Sequence, residues 1–299
     1  MKDAVLLIGD AHPGLGRAIS AQCGMPITPM SVQTFADGET AVRIESDLNG
    51  LHACIVQPTS TPTNHHLMSL ALIADAARGA GAQSITALMP YYGYARQDVR
   101  RIKGEPLSAR LAARLLDAAG IDRVILLELH SPALESAFAC TLLHLQADTV
   151  LVPAIRRWAL DAPVIVSPDA GGLKRAQRFA TALNAPVAAI AKVRPRDDTA
   201  VALQLLGEVR DRACVIVDDM ASTGRTIACA TQALLAAGAR DVHAAFVHAV
   251  LAPGALQRIS DAGVQRILST DSVPTPDDPR IALVPVAPLL AGALQELYG

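Results

Sequence analysis

No cysteine pair in this sequence has the spacing of a metal or redox motif. Cys23, Cys54, Cys140, Cys214 and Cys229 are scattered and odd in number. That excludes a disulfide framework and a structural zinc site of the CxxC kind. A basic excess is missing too: 26 Lys and Arg stand against 28 Asp and Glu, a net charge of −2. Such a surface has nothing to neutralise a phosphate backbone, so nucleic acid is not an expected partner. Mean hydropathy is +0.32, yet Asp, Arg, His or Pro interrupts every apolar run before about 18 residues, and no membrane span is expected. The apolar stretch from Ala4 to Ile8 is far shorter than a signal peptide needs, and a reducing cytoplasm is the expected compartment. No Gly-x-x-x-x-Gly-Lys-Ser/Thr segment occurs, which excludes a P-loop kinase, and GLGRAI (14–19) lacks the third small residue of a dinucleotide fingerprint.

What is present is a large apolar core. Of 299 residues, 51% are hydrophobic and 18% charged, enough for two domains of about 150 residues. AVLLIG (4–9), ACIVQ (53–57), SITALMP (84–90), RVILLELH (123–130), PVIVSPD (163–169), CVIVDD (214–219) and VHAAFVHAV (242–250) read as strands buried on both faces. Helical patterns at 65–80, 107–119, 171–183 and 224–238 fall between them, which predicts βαβ units and parallel sheets. A weak repeat sharpens this. AGAQSITALMP (80–90) echoes AGARDVHAAFV (237–247), and DAAGIDRVIL (117–126) echoes SDAGVQRIL (260–268), with YYGYARQDVRRIKGEP (91–106) extra in the first half. Two copies of one α/β domain are expected, divided near 143–150, before the Pro153 helix.

Several strand ends carry polar chemistry. In CVIVDDMASTGRTI (214–227) a buried strand ends in Asp218 and Asp219, then a Ser/Thr/Gly loop leads into a helix. The backbone N–H groups of Ser222, Thr223, Gly224, Arg225 and Thr226 suit a phosphate, and the two carboxylates suit the vicinal hydroxyls of a ribose. An ordinary helix cap is the bland alternative. FADGE (35–39) is either a plain hairpin turn or a place where an aromatic stacks on a base. In PYYGYARQD (90–98), Arg96 and Gln97 suit triphosphate oxygens, or else belong to a surface aromatic turn with a solvated basic run. His130 closes a strand where open α/β sheets bind ligands. In SPDAGGLKRA (167–176), Asp169 is a Mg²⁺ ligand or a helix cap. By composition alone Lys192 and Arg194, in AKVRPRDDT (191–199), form a solvated loop. His65 and His66 open a helix after PTSTPTN and are given no role. His243 and His248 sit inside an apolar strand and read as structural.

Taken together and in this order, these segments resemble the ribose-phosphate pyrophosphokinases. The resemblance implies an α/β chain of two tandem phosphoribosyltransferase-like domains, each a mostly parallel sheet flanked by helices, over 1–146 and 147–286. A C-terminal helix, 287–299, is expected to join the first. It implies Mg²⁺-dependent transfer of the diphosphoryl group of ATP to the C1 hydroxyl of ribose 5-phosphate, releasing AMP for nucleotide biosynthesis. Phe35, Asp37, Glu39, Arg96, Gln97 and His130 would meet ATP. Asp169, Asp218, Asp219 and Ser222 to Thr226 would meet ribose 5-phosphate. His130 and Asp169 would hold the metal, and Lys192 and Arg194 would stabilise the transition state. The FADGE loop would serve a neighbouring subunit's ATP site, which requires a homo-oligomer, at least a dimer. Glu128 stands where the family has Asp, Val193 where it has a middle Arg, Arg225 where a small residue is usual, and His65-His66 where Asn-Asp is commoner. Two other readings remain: a non-catalytic regulatory relative, and a type I phosphoribosyltransferase, which would need neither FADGE nor PYYGYARQD.

Overall fold

The structure, a computed structural model, describes residues 3–193 and 202–299. The chain divides into two compact units: Met1–Gln146 with Ser272–Pro274 and Val286–Gly299, and Ala147–Asp271 with Thr275–Pro285. No helix among the described residues is long and apolar enough to cross a membrane. All five cysteines are free thiols, and burial pushes the thiol of Cys214 up to about 11.

In the first unit the elements run β1 (Ala4–Ile8), α1 (Pro13–Cys23), β2 (Met30–Thr34), β3 (Thr40–Ile44), β4 (His52–Val56), α2 (Thr63–Gly79), β5 (Ser84–Met89), α3 (Ser108–Ala118), β6 (Arg123–Leu127) and β7 (Thr141–Leu145). Five strands form a parallel sheet in the order β1-β4-β5-β6-β7, while β2 and β3 make a separate antiparallel hairpin. Strands β1, β4, β5 and β6 show no polar alternation because both faces are covered, whereas the edge strand β7 is partly exposed along its length. Leu70, Ile73 and Ala77 of α2 and Ala113 and Leu116 of α3 share one core with Leu7, Ile55 and Ile85 of the sheet. Each fully buried Leu or Ile side chain among them contributes about 1.5–3 kcal/mol.

The second unit runs α4 (Asp148–Arg156), β8 (Val164–Ser167), α5 (Leu173–Leu183), β9 (Val187–Val193), β10 (Ala202–Leu206), β11 (Ala213–Met220), α6 (Arg225–Ala236), β12 (Asp241–His248), α7 (Ala255–Asp261), β13 (Val264–Thr270) and β14 (Ile281–Val284). Its sheet has the order β10-β9-β8-β11-β12-β13-β14. Only the β9–β10 pairing is antiparallel. The last helix, α8 (Ala287–Tyr298), returns to the first unit. There it packs on α1, and the hydroxyls of Tyr298 and Thr86 meet at 2.5 Å.

The echoed segments occupy matching places. Each is a helix, then a glycine at positive φ, then a strand: Gly81 (93°) and Gly238 (88°) in one pair, Gly120 (82°) and Gly263 (101°) in the other. Matching them aligns β1-β4-β5-β6-β7 with β8-β11-β12-β13-β14, the same strand order. In the second unit β9 flanks β8 on the side away from β11. In the first, a parallel bridge between Leu6 and Ile27 places a short segment on the same flank of β1. Both sheets therefore have a switch point, beside β8 and β11 and beside β1 and β4, where ligand crevices form at strand C-termini.

Candidate active site

The switch point of the second unit collects the acidic residues. Asp169 follows β8, and Asp218 and Asp219 end the adjacent, parallel β11. Ser167 donates its hydroxyl to the Asp169 carbonyl at 2.7 Å, and Asp169 Oδ1 accepts from the Gly172 N–H at 3.0 Å. A Cβ on Gly172 would lie 2.8 Å from Ser167 Oγ, so a side chain here would have to displace that hydroxyl. Asp169 thus has the capping bond of the bland reading, yet it also raises the pKa of Asp218. Burial pushes the Asp218 carboxyl well up, the neighbouring Asp219 adds to this, and Arg175 opposes it. Arg175, buried on α5, places Nη1 3.5 Å from Asp218 Oδ1 and 3.4 Å from Asp219 Oδ1. The sequence reading missed Arg175. Its signal was a cation at a position where a helix otherwise buries Ala176, Phe179 and Ala180.

Crowded, partly desolvated carboxylates of this kind are oxygen donors that suit a hard dication, and Mg²⁺ fits them.

Beyond Asp219 the chain turns into α6. Three successive carbonyls of this loop face the segment after β12. Ala221 O accepts from Leu251 N–H and Ser222 O from Ala252 N–H, each at 2.9 Å, and Thr223 O accepts from the Arg258 guanidinium. Among the described residues, the N–H groups of Ser222, Thr223, Gly224, Arg225 and Thr226 meet no backbone or side-chain acceptor. The loop thus leaves five successive backbone donors unengaged at the N-terminus of a helix of 12 residues. Gly224, with φ 73°, permits the turn, and a Cβ there would lie 2.8 Å from the Ala255 carbonyl oxygen.

Lys192 lies within β9, opposite Leu203 of β10, and not in a loop as composition suggested. The antiparallel partner extends the strand through Val193. Arg194 lies outside the described residues.

In the first unit, the FADGE segment is the tip of the β2–β3 hairpin. Phe35 N–H donates to Glu39 O at 2.8 Å, Glu39 N–H donates to Asp37 Oδ1 at 3.1 Å, and Gly38 takes φ 93°. The turn chemistry therefore uses Asp37, while the Phe35 ring is 54% exposed. Arg96 and Gln97 line a cavity of ≈ 280 Å³ with Val99, Arg101, Glu105 and Pro106. Ser108 donates to Gln97 Oε1 at 2.5 Å, which fixes the amide at the start of α3. The aromatic turn before them is not superficial. Tyr91 and Tyr92 are buried, and Tyr92 donates to Ala109 O at 2.6 Å. Among the described residues, no hydrogen bond or ion pair joins Phe35, Asp37 or Glu39 to Arg96 or Gln97.

The strand leading to His130 ends earlier than its apolar pattern, at Leu127, because Glu128 takes φ 43°. Glu128 is nevertheless buried, and its N–H donates to Leu145 O at 2.9 Å. Leu129 N–H donates to His144 Nε2 at 2.9 Å, and His144 Nδ1 meets Glu135 at 2.7 Å. This brace holds the turn that carries the exposed His130. His243 and His248 are buried within β12, as read. His65 and His66, given no role, face Asp10 across the other switch point.

Residues 4–120 match the family described as the N-terminal domain of ribose phosphate pyrophosphokinase, and residues 154–279 match the phosphoribosyl transferase domain. A ribose-phosphate pyrophosphokinase of Oceanobacillus iheyensis is 36% identical over 97% of this chain and 92% of its own. One from Gloeobacter violaceus is 38% identical over 98% and 90%. The crystal structure of phosphoribosylpyrophosphate synthetase from Mycobacterium smegmatis superposes with a TM-score of 0.93 at 34% identity, covering 99% of both chains. With two family domains in order and full-length relatives above 30% identity, the chain belongs to the ribose-phosphate pyrophosphokinase family.

Proposed function

We propose that this protein transfers the β,γ-diphosphoryl group of ATP to the C1 hydroxyl of ribose 5-phosphate, giving 5-phosphoribosyl 1-diphosphate and AMP for nucleotide biosynthesis in the cytoplasm. The observation that carries the reading is the loop before α6, whose carbonyls are all engaged on one side while five successive N–H groups present donors to an anion. These donors hold the 5-phosphate, and Asp218 and Asp219 accept from the ring hydroxyls. Arg175 keeps that pair in place against their mutual repulsion. Phe35, Asp37 and Glu39 meet the adenine of a neighbouring subunit's ATP, so the protein works as a homo-oligomer, at least a dimer. Arg96 and Gln97 bind the triphosphate.

Phosphoryl transfer depends on positioning and charge neutralisation more than on covalent steps. Asp169 and His130 would hold Mg²⁺, which would supply charge neutralisation on phosphate oxygens. Lys192 and Arg194 meet charge that develops as the AMP oxygen departs. The test is to mix the protein with Mg²⁺, ATP and ribose 5-phosphate and follow AMP. AMP formation that requires both substrates supports the reading. ATP-independent consumption of 5-phosphoribosyl 1-diphosphate with a base, or no turnover with intact binding, overturns it.

A further inference from the structure

The switch point of the first unit has chemistry of its own. Asp10 follows β1 by two residues, as Asp169 follows β8, and both precede a helix of 11 residues. Where α6 begins with phosphate-ready donors, its counterpart α2 carries His65 and His66 in its first turn. One ligand atom each from Asp10, His65 and His66 lies within 4.8 Å of the others.

Each of the three is also anchored through its remote atom. His66 Nδ1 donates to the Ser60 carbonyl at 2.8 Å, which leaves the lone pair on Nε2. Asp10 Oδ1 accepts from Gln57 Nε2 at 2.7 Å, and Gln57 Oε1 is in turn fixed by Ala11 N–H at 3.1 Å. His65 Nδ1 meets Thr40 Oγ1 at 3.4 Å, and its Nε2 meets Asp10 Oδ2 at 2.5 Å. The threonine hydroxyl donates or accepts, so the His65 proton can sit on Nδ1, which leaves the Nε2 lone pair on the side of Asp10. Gly9 is part of the construction, because a Cβ there would strike Gln57 Oε1 at 2.1 Å. Orienting partners on every candidate ligand are what metal sites use to fix imidazole and carboxylate directions. His66 is 7% exposed, whereas the side chains of Asp10 and His65 are 27% or less exposed but reachable, which leaves a route for an ion and open coordination positions.

We propose that this crevice is a metal site in which Asp10, His65 and His66 bind one first-row transition dication, zinc in particular. Two imidazoles and one carboxylate favour such an ion over Mg²⁺, which prefers oxygen donors and water. The site is separate from the residues assigned to the diphosphoryl transfer and does not depend on that assignment.

The test uses the full chain, stripped with a chelator, titrated with Zn²⁺ by calorimetry and with Co²⁺ by visible absorption. One saturable equivalent is expected that excess Mg²⁺ does not displace and that persists in a His130→Ala, Asp169→Asn protein. Affinity is expected to fall at least about tenfold in Asp10→Asn and in His65→Gln. Both lie at the more exposed side of the site, and circular dichroism checks that each variant is folded. No saturable uptake, uptake unchanged in both variants, ready displacement by Mg²⁺, or loss with His130→Ala and Asp169→Asn would each overturn the proposal.

Discussion

Arg175 and Asp219, 44 positions apart in sequence, meet at 3.4 Å with both side chains buried, and the same guanidinium nitrogen lies 3.5 Å from Asp218. One cation thus faces two carboxylates. Arg175→Met removes it and leaves an uncompensated acidic pair, which is expected to cost about 3–5 kcal/mol. Urea unfolding measures this. The KM for ribose 5-phosphate is expected to rise in the same variant. Unchanged stability would show that the pair does not need its cation.

The pH dependence of Asp218 has the reverse of the usual carboxylate sign. Its folded pKa is raised above the ordinary 3.8, by burial first and Asp219 second. The folded state therefore holds the proton longer than the unfolded state. The destabilisation is absent below pH 3.8, grows as pH rises toward the folded pKa, and is fully present above it. Asp218→Asn is expected to raise the melting temperature at neutral pH, by an amount that shrinks toward pH 4, while turnover falls. Thermal melts across pH check it. A lower melting temperature at neutral pH would contradict it.

Gly224→Ala places a methyl group 2.8 Å from the Ala255 carbonyl at a φ of 73°. Strain of this kind costs about 1–3 kcal/mol. Because the loop turns on this residue, weaker binding of ribose 5-phosphate is expected alongside lower stability, read by calorimetry on the folded variant.

Lys192→Ala is expected to lower kcat by about 10²–10³ if the lysine acts as a transition-state donor, with the KM values little changed. A kcat equal to that of the parent would remove Lys192 from the catalytic role.

Phe35→Ala is expected to leave stability within about 0.5 kcal/mol, since the ring is largely exposed at a hairpin tip. The KM for ATP is expected to rise about tenfold through lost base stacking. Sedimentation at working concentration then distinguishes a lost adenine contact from lost assembly.

Most of the architecture was legible in the chain. Runs such as CVIVDD and SITALMP report strands covered on both faces, and the repeated helix–Gly–strand segments place matching elements in the two units. Legibility failed at strand ends. RVILLELH reads as continuous strand, yet Glu128 leaves it at φ 43°, since apolar content does not encode a backbone turn. The aromatic turn of Tyr91 and Tyr92 was open to a surface reading, yet both are buried and the Tyr92 hydroxyl is bonded to Ala109 O.

The sequence by itself determined the alternation of strands and helices, the glycines of the tight turns and the polar residues that sit at the ends of buried strands. These follow from local rules of periodicity and backbone freedom. Tertiary structure alone decided which polar atoms converge. It brought Arg175 to Asp218 and Asp219, turned the carbonyls of Ala221, Ser222 and Thr223 toward the segment after β12, and set Asp10 against His65 and His66. The physical reason is that parallel strands joined by helical crossovers bring their C-termini together from distant parts of the chain, and periodicity records which face is buried but not what meets beyond the strand's last residue.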